Sequence, residues 1–202
     1  RCIGISLVEC ARSNFEKRPA DRSLWWKRRN RMLSSLSFDV QKDLLVKGWM
    51  SHDARWYMAV AEHFGIEAAN RLNQTVTREL GRVEMKRLMK ALNLSAPKNT
   101  KEYVKLMNTA ISLYGPDLIE YEIKILDHQS YEMHVKRCFA HENIVRAGIK
   151  DQYECGILSR LQGWIDAQSL EHDLAPPLGK CMKVLGRECS YRIRLQFKEM
   201  IR

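Results

Sequence analysis

Apolar residues recur at a helical spacing as far as Tyr114 and then, from Ile119, at every second position. This change of period confines the chain to a fold of helices followed by sheet. Ile66, Ala69, Leu72, Val76, Leu80, Val83 and Leu88 return at intervals near 3.6 and predict one long helix, residues 66–92, with a single buried stripe. Before it, Phe38 to Val46 reads as a short amphipathic turn or helix. Ser51 reads as the N-cap of a separate helix that runs to about Phe64 and stops at Gly65. After the loop 95–99, Thr100 caps a helix with Val104, Met107, Ile111 and Tyr114 on one face, and Gly115-Pro116 ends it.

Ile119, Tyr121, Ile123 and Ile125 then alternate with polar residues, as do Tyr131, Met133 and Val135. Both runs predict half-buried strands joined at Asp127-His128-Gln129-Ser130. Cys189, Tyr191, Ile193, Leu195 and Phe197 form the cleanest alternation of all. Between these strands, 140–147 reads as a short helix stopped by Gly148. Asp151 with Glu154 resembles a capping box for a helix burying Ile157, Leu158, Leu161, Trp164 and Ile165. Pro176-Pro177 reads as the start of a last short helix ending at Gly186. Trp49, Trp56 and Trp164 fall at core-like helical spacing. The expected fold is α+β: N-terminal helices, then a small antiparallel sheet of at least three strands, covered by helices on its apolar face.

Charge divides the chain unevenly. Of a net +10 over 202 residues, residues 1–31 contribute +6, from nine Lys/Arg against three acids. The expected organisation is a basic tail or upstream extension, 1–31, and a single α+β domain, 32–202. The stretch Trp25-Trp26-Lys27-Arg28-Arg29-Asn30-Arg31 is the one place where nucleic acid or another anionic surface would be bound; the body carries no DNA-reading motif. No run approaches the roughly 18 apolar residues of a membrane span. Ile3 to Val8 is too short an apolar run for a secretion signal, so a cytoplasmic location with reduced thiols is expected. Glycine-rich phosphate loops and the Gly-x-Ser-x-Gly elbow are absent, which disfavours nucleotide-dependent transfer and serine hydrolysis.

Three constellations carry chemistry. His134, Cys138 and His141 offer a thiolate and two imidazoles to zinc or iron, or a His that deprotonates the Cys as a nucleophile, since an even separation puts His134 and Cys138 on one strand face. The alternative is a solvated His134 and a small buried Cys138. His52, Asp53, Glu62 and His63 share one predicted helix; Glu62 or His52 would serve as acid or base, or all four are capping and surface charge. Cys155, Cys181 and Cys189 complete a group of four cysteines in the last 65 residues. Cys155, in the first turn of a predicted helix, is with Cys138 a favoured reactive thiol.

The stretch Gly48-Trp49-Met50-Ser51-His52-Asp53-Ala54-Arg55-Trp56, then Glu62-His63-Phe64-Gly65-Ile66-Glu67-Ala68-Ala69-Asn70, resembles the opening helices of a bacterial and archaeal domain family of unknown function. That family looks related to the L-2-amino-thiazoline-4-carboxylic acid hydrolases. Cys138, Cys155 and Gly186-Arg187-Glu188-Cys189-Ser190-Tyr191-Arg192-Ile193 are similar to its cysteine-bearing C-terminal part. The resemblance spans residues 38–198. It implies opening of a small cyclic amidine or carbamoyl substrate by water. Cys138 or Cys155 would be the thiol, Glu62 or His52 the acid or base, and Arg55 the carboxylate clamp beside Trp56. Set against this hydrolase is a non-catalytic module, a sensor or carrier, that binds a small molecule or a metal through its histidines or a cysteine set.

Overall fold

The computed structural model describes residues 33–115 and 117–197. The basic stretch 1–31 therefore lies outside the described residues. In chain order the elements are a 3-10 turn (Leu33–Ser35), α1 (Phe38–Phe64), α2 (Ile66–Leu92), α3 (Thr100–Tyr114), β1 (Ile119–Ile125), β2 (Ser130–Cys138), α4 (Phe139–Arg146), α5 (Ile157–Asp166), β3 (Glu171–Ala175) and β4 (Ser190–Gln196). By its contacts the chain divides after Gly48. In the first unit, the Gln41 side chain donates to the carbonyls of Leu33 and Leu36, at 3.3 and 2.9 Å. The fold described next belongs to the unit that begins at Trp49.

α1 is one continuous helix of 27 residues, not two. Helix propagation absorbs a single glycine at a cost of about 1 kcal/mol, and good helix formers flank Gly48 on both sides. Ser51 thus sits inside the helix rather than capping one. Gly65, at φ 86°, turns the chain into α2.

The buried face of α2 keeps Ala69 and Leu88 of the predicted apolar stripe but not the rest of it. Ala69, Asn70, Gly81, Glu84, Met85 and Leu88 are buried, whereas Leu72, Val76 and Val83 are 50%, 51% and 37% exposed. Partners inside the fold decide the orientation. Asn70 Oδ1 accepts from the Tyr57 hydroxyl at 2.7 Å and from the Glu154 N–H at 3.0 Å, and its Nδ2 donates to the Gln152 carbonyl at 2.8 Å. Glu84 accepts from Arg160 Nε at 2.8 Å and from Trp164 Nε1 at 3.0 Å. Arg160 in turn stacks over Trp49, 4.8 Å from the ring centroid. Of the three tryptophans assigned to core spacing, Trp164 is buried and Trp56 is 64% exposed.

α3 is capped by Asn99, whose side chain accepts from the Glu102 N–H at 2.9 Å. Thr100 is instead fully buried, and its hydroxyl donates to the His128 carbonyl at 2.7 Å. α5 begins at Ile157 with Gly156 as its cap, so Asp151 lies outside it. No helix follows Pro176-Pro177 among the described residues; a turn at 182–186 takes its place.

The sheet has four antiparallel strands in the order β1-β2-β4-β3. Tyr131, Met133 and Val135 of β2 and Tyr191, Ile193 and Leu195 of β4 are buried on one face, with Met85, Tyr103, Met107, Leu161 and Trp164 of the helices in the same core. The opposite face is a charge ladder: Lys124 stands opposite Glu132, Glu132 opposite Arg192, and Asp173 opposite Arg194. β3 escapes the period-two reading because its five residues, Glu-His-Asp-Leu-Ala, turn only His172 and Leu174 inward.

Candidate functional site: a corner of four thiols

A β-bulge places Cys138. Glu120 stands opposite Arg137 but Tyr121 stands opposite Val135, so Lys136 is an extra residue on β2. An extra residue reverses the alternation beyond it. Lys136 and Arg137 are both exposed, and Cys138 turns inward beside Ile119, against the core. His134, before the bulge, stays on the charged face opposite Glu122 and Ser190. The expectation that His134 and Cys138 share a face is therefore corrected.

Three other cysteines reach the same end of the sheet. The Val135 N–H donates to the Cys189 carbonyl at 2.8 Å, which sets Cys189 beside the end of β2. The Cys155 N–H donates to the Gly179 carbonyl at 2.8 Å, and Glu154 bridges to Lys180, which brings the Cys181 turn against Cys155. Cys181 Sγ lies 3.6 Å from His141 Nδ1 on α4. All four cysteines are free and partly buried.

Their electrostatics show them as one group. Burial raises the Cys138 thiol, and Cys181 raises it further, while the backbone N–H groups of His141 and Ala140 at the start of α4 and the charge of Lys183 act the other way. Burial pushes Cys155 up to about 12; Cys138 and Cys189 add to this, and the N–H groups of Leu158 and Ile157 at the start of α5 oppose it. Burial, with Cys138 and Cys181, pushes Cys189 up to about 11 against Lys183. Two of the four sulfurs thus face the N-terminal amides of a helix. As the side chains stand, no three His, Cys, Asp or Glu groups among the described residues are arranged to hold a metal ion.

The other candidates lie on α1. His52, Arg55, Trp56 and Glu62 are exposed, and Arg55 donates to the Ser51 carbonyl of its own helix at 3.0 Å. Among the described residues no hydrogen bond or ion pair joins them to Cys138 or Cys155. Asp53 is raised by burial, against the charges of His52 and Arg160.

Two concavities border the corner. One, of about 440 Å³, is lined by Cys138 and His141 with Lys136, Arg137, Lys183 and Arg187. The other is an apolar cleft between Tyr114, Leu118, Phe139, Leu161 and Trp164, with room for only about 30 Å³. Cys181 stood in a sequence constellation with Cys155 and Cys189, but the cations at 183 and 187 escaped sequence reasoning as site residues. Spacing alone did not join the 181–187 turn to the end of β2.

Fold and corner together define an α+β domain, with helices on one face of an antiparallel sheet and a thiol cluster at one end. The chain belongs to a family of unknown function, DUF6125, which matches residues 35–162. Cys138 and Cys155 lie inside that match; Cys181 and Cys189 lie beyond it. Among solved structures the chain is similar to a trafficking protein particle complex subunit 3 from Naegleria fowleri, covalently bound to palmitic acid. The two are 15% identical over 80% of this chain and 99% of that one, with a TM-score of 0.50. At that identity the likeness is one of fold alone. No curated protein matches. Neither finding supports the resemblance to thiazoline hydrolases. Among the described residues no helix is long and apolar enough to cross a membrane.

Proposed function

We propose that this domain is a non-catalytic binding module whose four cysteines, Cys138, Cys155, Cys181 and Cys189, hold a thiophilic metal ion, zinc or iron. The observation that carries the reading is that backbone pairing brings four free, partly buried cysteines from four separate segments to one end of the sheet: Val135 with Cys189, Cys155 with Gly179, and Cys181 Sγ at 3.6 Å from His141. Soft thiolate sets select zinc or iron over magnesium or calcium, and four such ligands make a closed structural site. The helix N-termini facing Cys138 and Cys155 support it further, because N–H groups directed at sulfur stabilise thiolate. His141, beside Cys181, serves as an outer partner or replaces one thiol. His134, on the far face, takes no part.

A thiol hydrolase is the weaker reading. Its nucleophile would need a depressed pKa and a base within reach. Cys155 and Cys138 are instead raised, and the α1 candidates are exposed without a bond to either. The palmitate of the fold neighbour does not carry over, since the apolar cleft here has the volume of about one water.

Elemental analysis of the reduced full chain, purified without chelator, tests the proposal. One zinc or iron per chain is expected, lost in a Cys181→Ser/Cys189→Ser variant and retained in Cys2→Ser/Cys10→Ser. A metal-free wild type, or metal that survives substitution of all four corner cysteines, overturns it.

One observation favours a second reading, a subunit of an assembly: Leu72, Val76 and Val83 form an exposed apolar row on α2. Light scattering on the purified chain tests it, and a monomer unaffected by Val76→Lys removes self-association.

A further inference from the structure

We infer that the cationic pocket beside the thiol corner, which Cys138 and His141 also line, binds a phosphate-bearing ligand through Lys183 and Arg187. Lys136 and Arg137 come from the bulged end of β2; Lys183 and Arg187 come from the 181–187 turn. The only carboxylate in the lining is Glu142. Lys136 is paired with Glu122, and Arg137 contacts Glu142 at 3.4 Å. The other two cations are left over. Lys183 Nζ donates to a neutral acceptor, the Lys136 carbonyl, at 2.7 Å. Arg187 has no acidic partner among the described residues. A phosphate monoester carries close to two negative charges at neutral pH, which matches this pair of cations, neither of which is paired with a carboxylate among the described residues. A guanidinium also offers the forked donor geometry that a phosphate accepts.

The pocket is fixed by its backbone. The N–H groups of Leu185, Gly186 and Arg187 donate to the carbonyls of Cys181, Lys183 and Met182, at 3.3, 3.2 and 2.9 Å. Gly186 takes a φ of 69° within this turn, and Lys183 and Arg187 on either side of it both line the pocket. The concavity, of about 440 Å³, is open to solvent on one side.

Calorimetric titration of the full chain with inorganic phosphate, alongside flotation with phosphatidylcholine vesicles with and without phosphatidic acid, tests the inference. Metal content is measured in the same preparations, and the titration is repeated after chelation, so that failure of the metal reading stays distinguishable. Phosphate binding is expected to weaken at least about tenfold in Lys183→Ala/Arg187→Ala, since charge-assisted hydrogen bonds are lost. It is expected to strengthen in Glu142→Gln, a surface change that should leave folding intact. Binding to phosphatidic acid vesicles but not to free phosphate, abolished by the double variant, upholds the pocket and makes a lipid headgroup the source. No binding to either probe, or binding that neither variant alters, overturns it.

Discussion

Gly81 and Gly163 face each other where α2 crosses α5. A Cβ built on Gly81 would lie 3.2 Å from the Gly163 Cα and 2.2 Å from the Arg160 carbonyl oxygen; one built on Gly163 would lie 2.0 Å from the Arg78 carbonyl oxygen. The obstacle on both sides is backbone, which cannot move aside alone. Overpacking of this kind costs about 1–3 kcal/mol or more. Gly163→Ala is expected to lower the urea midpoint accordingly, while Gly48→Ala, with open space around it, raises helix stability slightly.

Glu84 is the buried anchor of the same helix pair. It holds Arg160 and the Trp164 indole, with its side chain 7% exposed and that of Arg160 12% exposed. Glu84→Ala strands the guanidinium, and losing one partner of a buried pair costs about 3–5 kcal/mol. The measurement is equilibrium unfolding. A loss below 1 kcal/mol would show that water reaches Arg160 freely.

Asp166 gives stability an acid limb. Burial works against its ionisation, but hydrogen bonds and charge from Arg78, then Arg82, outweigh it and leave the carboxyl below its ordinary 3.8. A depressed folded pKa contributes stability that is complete above the unfolded value and lost as pH falls through the folded one. Thermal melts from neutral to acid pH should therefore fall more steeply for the wild type below about pH 4 than for Asp166→Asn.

Cys155 should be the slowest corner thiol to alkylate in reduced, metal-free protein. At a pKa of about 12, its thiolate fraction at pH 8 is about one in ten thousand. Iodoacetamide labelling read by peptide mass spectrometry checks this. Rapid labelling of Cys155 ahead of Cys181 would return the nucleophile to consideration.

Val76 is half-exposed, so Val76→Lys is expected to change stability by no more than about 0.5 kcal/mol. A core position would lose several times that. Chemical denaturation of the pair of proteins decides between the two.

The elements were legible wherever one period ran uninterrupted: α2, α3, β1 and β4 lie where the spacing of their apolar residues puts them. Orientation was less legible. α2 buries Asn70 and Glu84 because their partners lie more than 70 residues away in α5 and its approach, which no local count can see. The site was half legible. Four cysteines in one region marked the place, but the bulge at Lys136, which turns Cys138 inward, adds a residue without changing composition. β3 was invisible because a short edge strand needs only its neighbour's backbone.

The order β1-β2-β4-β3 sets a sequence of events during synthesis. The first two strands leave the ribosome as a hairpin, with Tyr131, Met133 and Val135 presenting an open edge. β3 emerges next and waits, because among the described residues β4 is the strand it pairs with. Both wait for residues 190–196, which slot between them. The nascent domain therefore carries two unpaired strand edges until its central strand arrives, and unpaired edges are where an incomplete sheet is open to aggregation.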